Sequence, residues 1–176
     1  MTDPDLRSLI RDIPDFPSAG IMFKDITPLL LDPHAVDTAV EGIAEWAGPR
    51  GVDFVVAAEA RGFILGAALA LELDAGFVPA RKPGKLPSET ISAEYILEYG
   101  VDALEMHADA IAHGARVLIH DDLLATGGTA RALAELVERL GATVVGCAFL
   151  VELAFLDGRR RLEGFDVHAL VSYDSD

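Results

Sequence analysis

Short apolar runs alternate with longer helix-like stretches along most of the chain. The apolar runs have the length and composition of buried strands, and they lie at 53–58, 76–80, 116–122, 144–153 and 167–173. The helix-like stretches lie at about 33–46, 62–73 and 129–140. Strands that alternate with helices are typical of βαβ units, so we predict a three-layer α/β fold with a mostly parallel sheet.

Two segments interrupt this alternation. Near the start, residues 6–13 have the apolar spacing of a short amphipathic helix that Pro14 closes, and the Pro- and Gly-rich stretch 15–28 predicts an ordered loop. Residues 81–100 have little helical or buried-strand pattern. Long irregular insertions in compact domains are usually functional or disordered, so this stretch is a candidate functional segment.

Length and composition predict one domain. The chain has 176 residues, of which 51% are apolar. No apolar run reaches the ~18 residues of a membrane span, and the acidic first residues have no secretory pattern.

Cys147 is the only cysteine, which excludes an internal disulfide and fits a reducing cytoplasm. Because it lies in an apolar strand, we interpret it as a buried thiol and not as a nucleophile.

Charge narrows the choice of partners. The net charge is −15, from 14 basic and 29 acidic residues, which disfavours nucleic acid or an anionic membrane as a partner. The positive charge is nevertheless concentrated locally, since Arg81, Lys82 and Lys85 lie within five residues. An acidic protein can therefore still bind phosphates at a site that is itself positive.

The strongest chemical signal is the segment 117–129, in which an apolar strand ends in Asp121 and Asp122 and turns through glycines into a helix. The backbone N–H groups of the small residues 125–129 and the helix N-terminus favour a phosphate. The two carboxylates suit ribose hydroxyls, at the sheet edge where open α/β folds bind ligands. A bare Gly-Gly-Thr favours a simple helix cap, but the acidic pair before it favours a ligand site.

Other nucleotide and metal motifs are excluded. No Lys follows the glycines and no Gly-x-Gly-x-x-Gly spacing occurs, so neither a Walker loop nor a dinucleotide motif is predicted. The five histidines form no i, i+4 helical pair and no cluster with the cysteine, so we predict no protein-held zinc.

The segment Asp121 to Thr129 resembles the motif of type I phosphoribosyltransferases that binds 5-phosphoribosyl-1-diphosphate (PRPP). Other segments narrow the resemblance to adenine phosphoribosyltransferases, in that family's order over nearly the whole chain. They are Asp15-Phe16-Pro17 with Gly20 to Pro28, Glu59 to Phe63, and Arg81 to Pro87 leading to Tyr95 to Gly100. One departure is His120, where that family's strand usually has an aliphatic residue.

The resemblance implies a type I phosphoribosyltransferase fold in which about residues 1–33 contribute a small hood and about 81–100 form a mobile flap. It implies that adenine and PRPP are converted to AMP and diphosphate by a cytoplasmic homodimer. It also implies Mg²⁺, held by PRPP oxygens and water and not directly by the protein.

The same resemblance assigns the site residues. Glu98 is the catalytic carboxylate that handles a proton at the purine N7, and Asp121 and Asp122 bind the ribose. The 5′-phosphate is bound by Ala125, Thr126, Gly127, Gly128 and Thr129. The diphosphate is bound by Glu59, Ala60, Arg61, Arg81, Lys82, Lys85 and Tyr99, with a cis peptide expected between Glu59 and Ala60. Adenine is bound by Met22, Phe23, Lys24 and Leu123.

Alternatives stay open on the residues alone. Arg61 also suits a surface salt bridge, Glu98 a solvated surface, and Phe23 the core. The substrate base is alternatively hypoxanthine, guanine or xanthine. An alternative of a different class is a PRPP-sensing regulator without catalysis, which the acidic composition and the absence of a basic stripe disfavour.

Overall fold

The fold is built from nine strands and four α-helices in the part of the chain that the computed structural model describes, residues 4–97 and 100–175. The first half contains β1 (Arg11–Ile13), β2 (Phe23–Asp25), α1 (Thr27–Leu30), α2 (Pro33–Ala47), β3 (Phe54–Ala58), α3 (Gly62–Glu72) and β4 (Gly76–Ala80). The second half contains β5 (Thr90–Leu97), β6 (Gly100–His107), β7 (Arg116–Leu124), α4 (Gly128–Arg139), β8 (Thr143–Leu153) and β9 (Val167–Tyr173). Short 3-10 helices lie at Leu6–Leu9, Gly48–Arg50, Ala154–Leu156 and Gly158–Leu162.

A parallel sheet of order β4-β3-β7-β8-β9 forms the centre of the fold. Its middle strands are almost continuously apolar because both of their faces are covered. Buried side chains of α2 and α3, such as Ile43 and Leu69, pack on one face, and those of α4, such as Leu133 and Leu136, pack on the other. These layers confirm the predicted three-layer α/β fold with a mostly parallel sheet.

The predicted elements of the central domain are confirmed. The strands predicted at 76–80 and 167–173 have those bounds, and the strand predicted at 116–122 continues to Leu124. Helix α2 begins where expected because Asp32 caps it: its carboxylate accepts the backbone N–H groups of His34 and Ala35, and proline occupies the first turn. In the described residues no helix is long and apolar enough to cross a bilayer.

The prediction of an amphipathic helix over residues 6–13 is wrong in its second half. A 3-10 helix covers Leu6–Leu9, but β1 follows and pairs antiparallel with β2. The loop predicted at 15–28 likewise contains β2 and α1. The helical spacing of apolar residues misled the prediction because a three-residue strand is too short to give an alternating pattern, and its partner lies beyond a turn.

The prediction that residues 81–100 lack strand structure is wrong for β5. This strand pairs with β6 in a separate antiparallel hairpin, in which Tyr95 lies opposite Asp102. Ile91, Ala93 and Tyr95 pack on the core while the residues between them face outward. The alternation of inward-facing and outward-facing side chains was therefore present in the sequence. It was hard to recognise because it is short and polar residues surround it. That the segment is a mobile flap, and that about residues 1–33 contribute a hood, stay predictions.

Candidate active site

Two adjacent carboxylates end the central strand β7. Asp122 is buried and Asp121 is half-buried. The guanidinium Nε of Arg61, just before α3, lies 2.9 Å from Oδ2 of Asp122. A Cβ added to Gly62 would lie 2.8 Å from Oδ1 of Asp121, so the glycine allows the start of α3 to approach the acidic pair. The sequence predicted both acids at this edge of the sheet, and the structure brings Arg61 to them.

Burial changes how this acidic pair binds protons. The pKa of Asp121 is raised well above its usual range, by burial first and by the negative charge of Asp122 second. Burial also raises the pKa of Asp122, and the positive charge of Arg61 opposes that rise. Arg61 therefore favours the ionised form of Asp122, which is the form that accepts two hydroxyl hydrogen bonds.

The loop 125–129 joins β7 to α4 and forms a turn that only glycine suits at its centre. Gly127 has φ +79° and precedes the first turn of α4, where no side chain caps the helix. A Cβ on Gly127 would clash with the carbonyl oxygen of Gly158, and one on Gly158 would clash with the carbonyl oxygen of Ala125. The uncapped N–H groups of a helix start attract anions.

This loop and the acidic pair line one pocket of about 210 Å³, together with Arg61. The lining is the continuous stretch 121–130, which includes Leu123 and the whole predicted phosphate loop. Both the two carboxylates and the start of α4 therefore line this pocket. This arrangement suits a ligand with hydroxyl groups at one end and a phosphate at the other.

The predicted diphosphate loop lies beside this pocket. The peptide between Glu59 and Ala60 is cis, as expected. Glu59 accepts a hydrogen bond of 2.6 Å from Nε of Arg81, and Nη1 of Arg81 donates to the carbonyl of Lys85 over 3.2 Å. The structure therefore brings Glu59, Arg81 and Lys85 together, with a carboxylate already paired to the arginine.

Lys82 has a carboxylate partner that the sequence analysis missed. Its Nζ lies 3.0 Å from Oδ2 of Asp102, and the hydroxyl of Tyr95 donates to the same oxygen over 3.2 Å. Burial raises the pKa of Tyr95 to about 12, with help from the charge of Asp102. The contact of Tyr95 with Asp102 could be predicted only from the hairpin, in which the two residues lie opposite each other.

An aromatic group also lies beside Arg61. The guanidinium carbon lies 5.0 Å from the centre of the Phe23 ring, and Phe16 contacts that ring edge to face, with the two centres 5.0 Å apart. Met22 and Phe23 are half-buried. The side chain of Lys24 lies elsewhere, with Nζ 2.8 Å from Oδ1 of Asp12. Of the predicted adenine-binding residues, the structure therefore brings the side chain of Phe23 to Arg61 but turns that of Lys24 away.

Comparison with known proteins agrees with this geometry. The family model for the phosphoribosyl transferase domain matches residues 30–169. Adenine phosphoribosyltransferase of Thermotoga maritima is 59% identical over 169 residues, which cover 96% of this chain and 98% of that protein. This chain belongs to the adenine phosphoribosyltransferase family. It is therefore a phosphoribosyltransferase, an enzyme that transfers a pentosyl group.

Solved structures of the adenine phosphoribosyltransferase family have the same fold. The crystal structure from Thermoanaerobacter pseudethanolicus matches with a TM-score of 0.94 and 55% identity, covering 96% of this chain and 98% of that one. The Saccharomyces cerevisiae structure matches with a TM-score of 0.88 and 41% identity, covering 93% and 94%. That enzyme is in complex with adenine and an imino-altritol bisphosphate.

Two residues that the family resemblance singled out lie outside the described residues. They are Glu98 and Tyr99, which come between Leu97 and Gly100 in the sequence. Their roles stay predictions. Within residues 4–97 and 100–175, no three or more His, Cys, Asp or Glu side chains are grouped so that they could hold a metal ion.

His120, the departure from the adenine phosphoribosyltransferase pattern, is fully buried in β7. Its Nδ1 lies 3.0 Å from the carbonyl oxygen of Ala148 on β8. Burial lowers the pKa of His120 to about 4, so the ring is neutral at neutral pH. With Nδ1 donating, the ring ties β7 to β8 one residue before the acidic pair.

Proposed function

We propose that this chain transfers the phosphoribosyl group of PRPP to N9 of adenine, giving AMP and diphosphate in purine salvage. The observation that carries this proposal is the position of Arg61, which lies beside both Asp122 and the Phe23 ring. A single guanidinium thus links a site suited to ribose and phosphate with a surface suited to a flat base. Membership of the adenine phosphoribosyltransferase family supports the same reaction.

PRPP binds with its 5′-phosphate in the loop 125–129 and its ribose hydroxyls on Asp121 and Asp122. The uncapped start of α4 supports the phosphate assignment, since its N–H groups have no side-chain partner. The lining of a single pocket by the loop and the acids supports the ribose assignment. The phosphate then serves as a handle that fixes the reacting carbon relative to the base.

The reaction breaks the bond between C1 of the ribose and the diphosphate oxygen, and the electron pair leaves with the diphosphate. The lone pair of adenine N9 forms the new bond to C1, and the base loses one proton. Arg61, Arg81, Lys82 and Lys85 lower the barrier by stabilising the charge that develops on diphosphate. Glu98 is proposed to accept that proton from N7, on the strength of the family resemblance alone.

Mg²⁺ accompanies PRPP in this proposal. When bound, it neutralises diphosphate charge, and it prefers phosphate oxygens and water as ligands. The donor set of the site fits a metal carried by the substrate, because Asp122 and Glu59 are each already paired with an arginine.

Adenine stacks on Phe23, with Met22 and Leu123 beside it, and the backbone of residues 22–24 reads its edge. A site built to pair with the 6-amino group rejects a 6-oxo purine, because the wrong pairing leaves buried polar groups unsatisfied. The S. cerevisiae relative was solved with adenine bound, which supports the choice of base.

We also propose a single domain over 1–176, with the hood at about 1–33 and the mobile flap at about 81–100, which works as a homodimer in the cytoplasm. Exposed apolar side chains just after α1 and on α3 support a contact between copies: Leu31 is 85% exposed, Leu71 84% and Ile64 48%. A lone cysteine, buried and free, supports a reducing compartment.

A product assay with Mg-PRPP and adenine, hypoxanthine, guanine or xanthine in parallel tests the proposal. We expect AMP from adenine, and no nucleotide above background from the other bases. Product from another base keeps the fold and the PRPP site but rejects the assignment of the base pocket. Tight PRPP binding without product from any base would point to the PRPP-sensing regulator instead.

A further inference from the structure

The ring of Tyr173 is contacted by two cations from the N-terminal part of the chain. Nζ of Lys24 lies 4.2 Å from the ring centre, and the guanidinium carbon of Arg7 lies 4.5 Å from it. Arg7 also donates a hydrogen bond from Nη2 to the carbonyl of Ser172. Because Tyr173 ends β9, the edge strand of the central sheet, these contacts join the N-terminal segment to the sheet.

Lys24 is held much more firmly than a surface lysine. The residue is only 6% exposed, and Nζ lies 2.8 Å from Oδ1 of Asp12, the residue opposite it in β1. A buried ammonium group loses its hydration, and the face of an aromatic ring replaces part of that stabilisation. Lys24 is therefore fixed from two sides, by Asp12 within the β1–β2 pair and by Tyr173 from the sheet.

This anchor acts on the residue next to it. Side chains that follow each other on a strand point to opposite faces, so Phe23 faces away from Tyr173. The Phe23 ring lies over Arg61, with 5.0 Å between the ring centre and the guanidinium carbon. The position of Lys24 thus determines the distance between the Phe23 ring and the guanidinium of Arg61.

We infer that Tyr173 is a positioning residue for the part of the site that binds the base. Its contact with Lys24 fixes β2. The Phe23 ring is thereby held where a purine can stack on it. Tyr173 touches no substrate in this arrangement. The inference rests on the proposed function for the identity of the base, and on the contacts of Arg7, Lys24 and Tyr173 for the anchor itself.

Steady-state kinetics of Tyr173→Leu and Tyr173→Phe test the inference. Leucine keeps an apolar side chain but removes the ring face, so we expect the KM for adenine to rise about tenfold while kcat and the KM for PRPP stay within about twofold. Phenylalanine keeps the ring face, so we expect its KM for adenine within about twofold of the wild type. Equal rises of both KM values in Tyr173→Leu, or a Tyr173→Phe variant as impaired as Tyr173→Leu, would overturn the inference.

Hydrogen exchange measured without substrate tests the contacts of Tyr173 with Arg7 and Lys24 independently of the proposed reaction. We expect faster exchange of the amides in residues 11–26 of Tyr173→Leu and unchanged exchange there in Tyr173→Phe. If the wild type makes no AMP from adenine, the proposed function fails while this result still tests the anchor. Unchanged exchange in Tyr173→Leu would overturn the anchor, even where the wild type is active.

A milder variant guards against loss of folding in Tyr173→Leu. Arg7 is exposed, so Arg7→Met removes one of the two cations without opening the core. We expect a rise of about threefold in the KM for adenine, with faster exchange in residues 11–26 and an unchanged KM for PRPP. Identical adenine KM and exchange in Arg7→Met and wild type would overturn the inference for that contact.

Discussion

Nε of Arg61 lies 2.9 Å from Oδ2 of Asp122, and this ion pair joins the start of α3 to the carboxyl end of β7. The arginine is partly exposed, whereas the carboxylate is almost fully buried, with side-chain exposures of 41% and 6%. The guanidinium therefore offers its free N–H groups to the pocket while it holds the aspartate in place. Two loops distant in sequence act as one binding surface through this contact.

Replacement of Arg61 by alanine is expected to lower kcat/KM about 100-fold, the typical effect of removing one donor that stabilises a developing charge. Arg61→Lys keeps the charge without the planar fork, so we expect it to recover only part of the loss. Arg160→Ala is the control, because it removes an equal charge from an exposed position. Activity of Arg61→Ala within threefold of the wild type would contradict the role.

Gly158 supports the phosphate loop although it lies 33 residues after Ala125, the loop residue that it approaches. A Cβ there would clash with the carbonyl of Ala125, so Gly158→Ala is expected to push the loop and raise the KM for PRPP about tenfold, with a loss of about 1–3 kcal/mol in the free energy of unfolding. Gly48→Ala is the matched control, since nothing lies within 4 Å of its added Cβ. Kinetics and urea unfolding measure both, and identical behaviour of the two variants would refute the packing argument.

Acid sensitivity is expected from His120. Its folded-state pKa of about 4 lies below the ordinary 6.5, so the stability contributed by the neutral ring is present above pH 6.5 and is lost as pH falls towards 4. The full loss is about 3 kcal/mol for such a shift. His120→Leu should flatten the dependence of Tm on pH in this window, and the exposed His34→Gln should not. Parallel Tm curves for His120→Leu and wild type would contradict the buried neutral state.

Alkaline sensitivity is expected from Tyr95. Its pKa is raised from 10.0 to about 12, so the stability contributed by the protonated hydroxyl is present below pH 10 and is lost as pH rises towards 12. Asp102→Asn removes a negative charge that raises this pKa, so the loss should be smaller in that variant. Tyr95→Phe should abolish it. Thermal unfolding between pH 9 and 11 measures all three proteins, and an Asp102→Asn curve steeper than that of the wild type would refute the arrangement.

The sequence was informative wherever local chemistry decides structure. Helix α2 was predictable because Asp32 and Pro33 start it, and β7 because its apolar run ends in two acids. β1 was not predictable, since three residues become a strand only by pairing with β2. The ion pair of Lys82 with Asp102 and the contact of Gly158 with Ala125 join residues far apart in the chain, so they depend on the completed fold.

The paired cations of the site have a consequence for selectivity among anions. Arg61, Arg81 and Lys82 each have an internal carboxylate partner, so these three positive charges are already compensated without a ligand. Binding is then an exchange of one counterion for another. A singly charged ion such as chloride gains little by replacing a carboxylate that is already tethered nearby, whereas a diphosphate brings several charges at once. We therefore expect the site to favour a multivalent anion over the common monovalent ones.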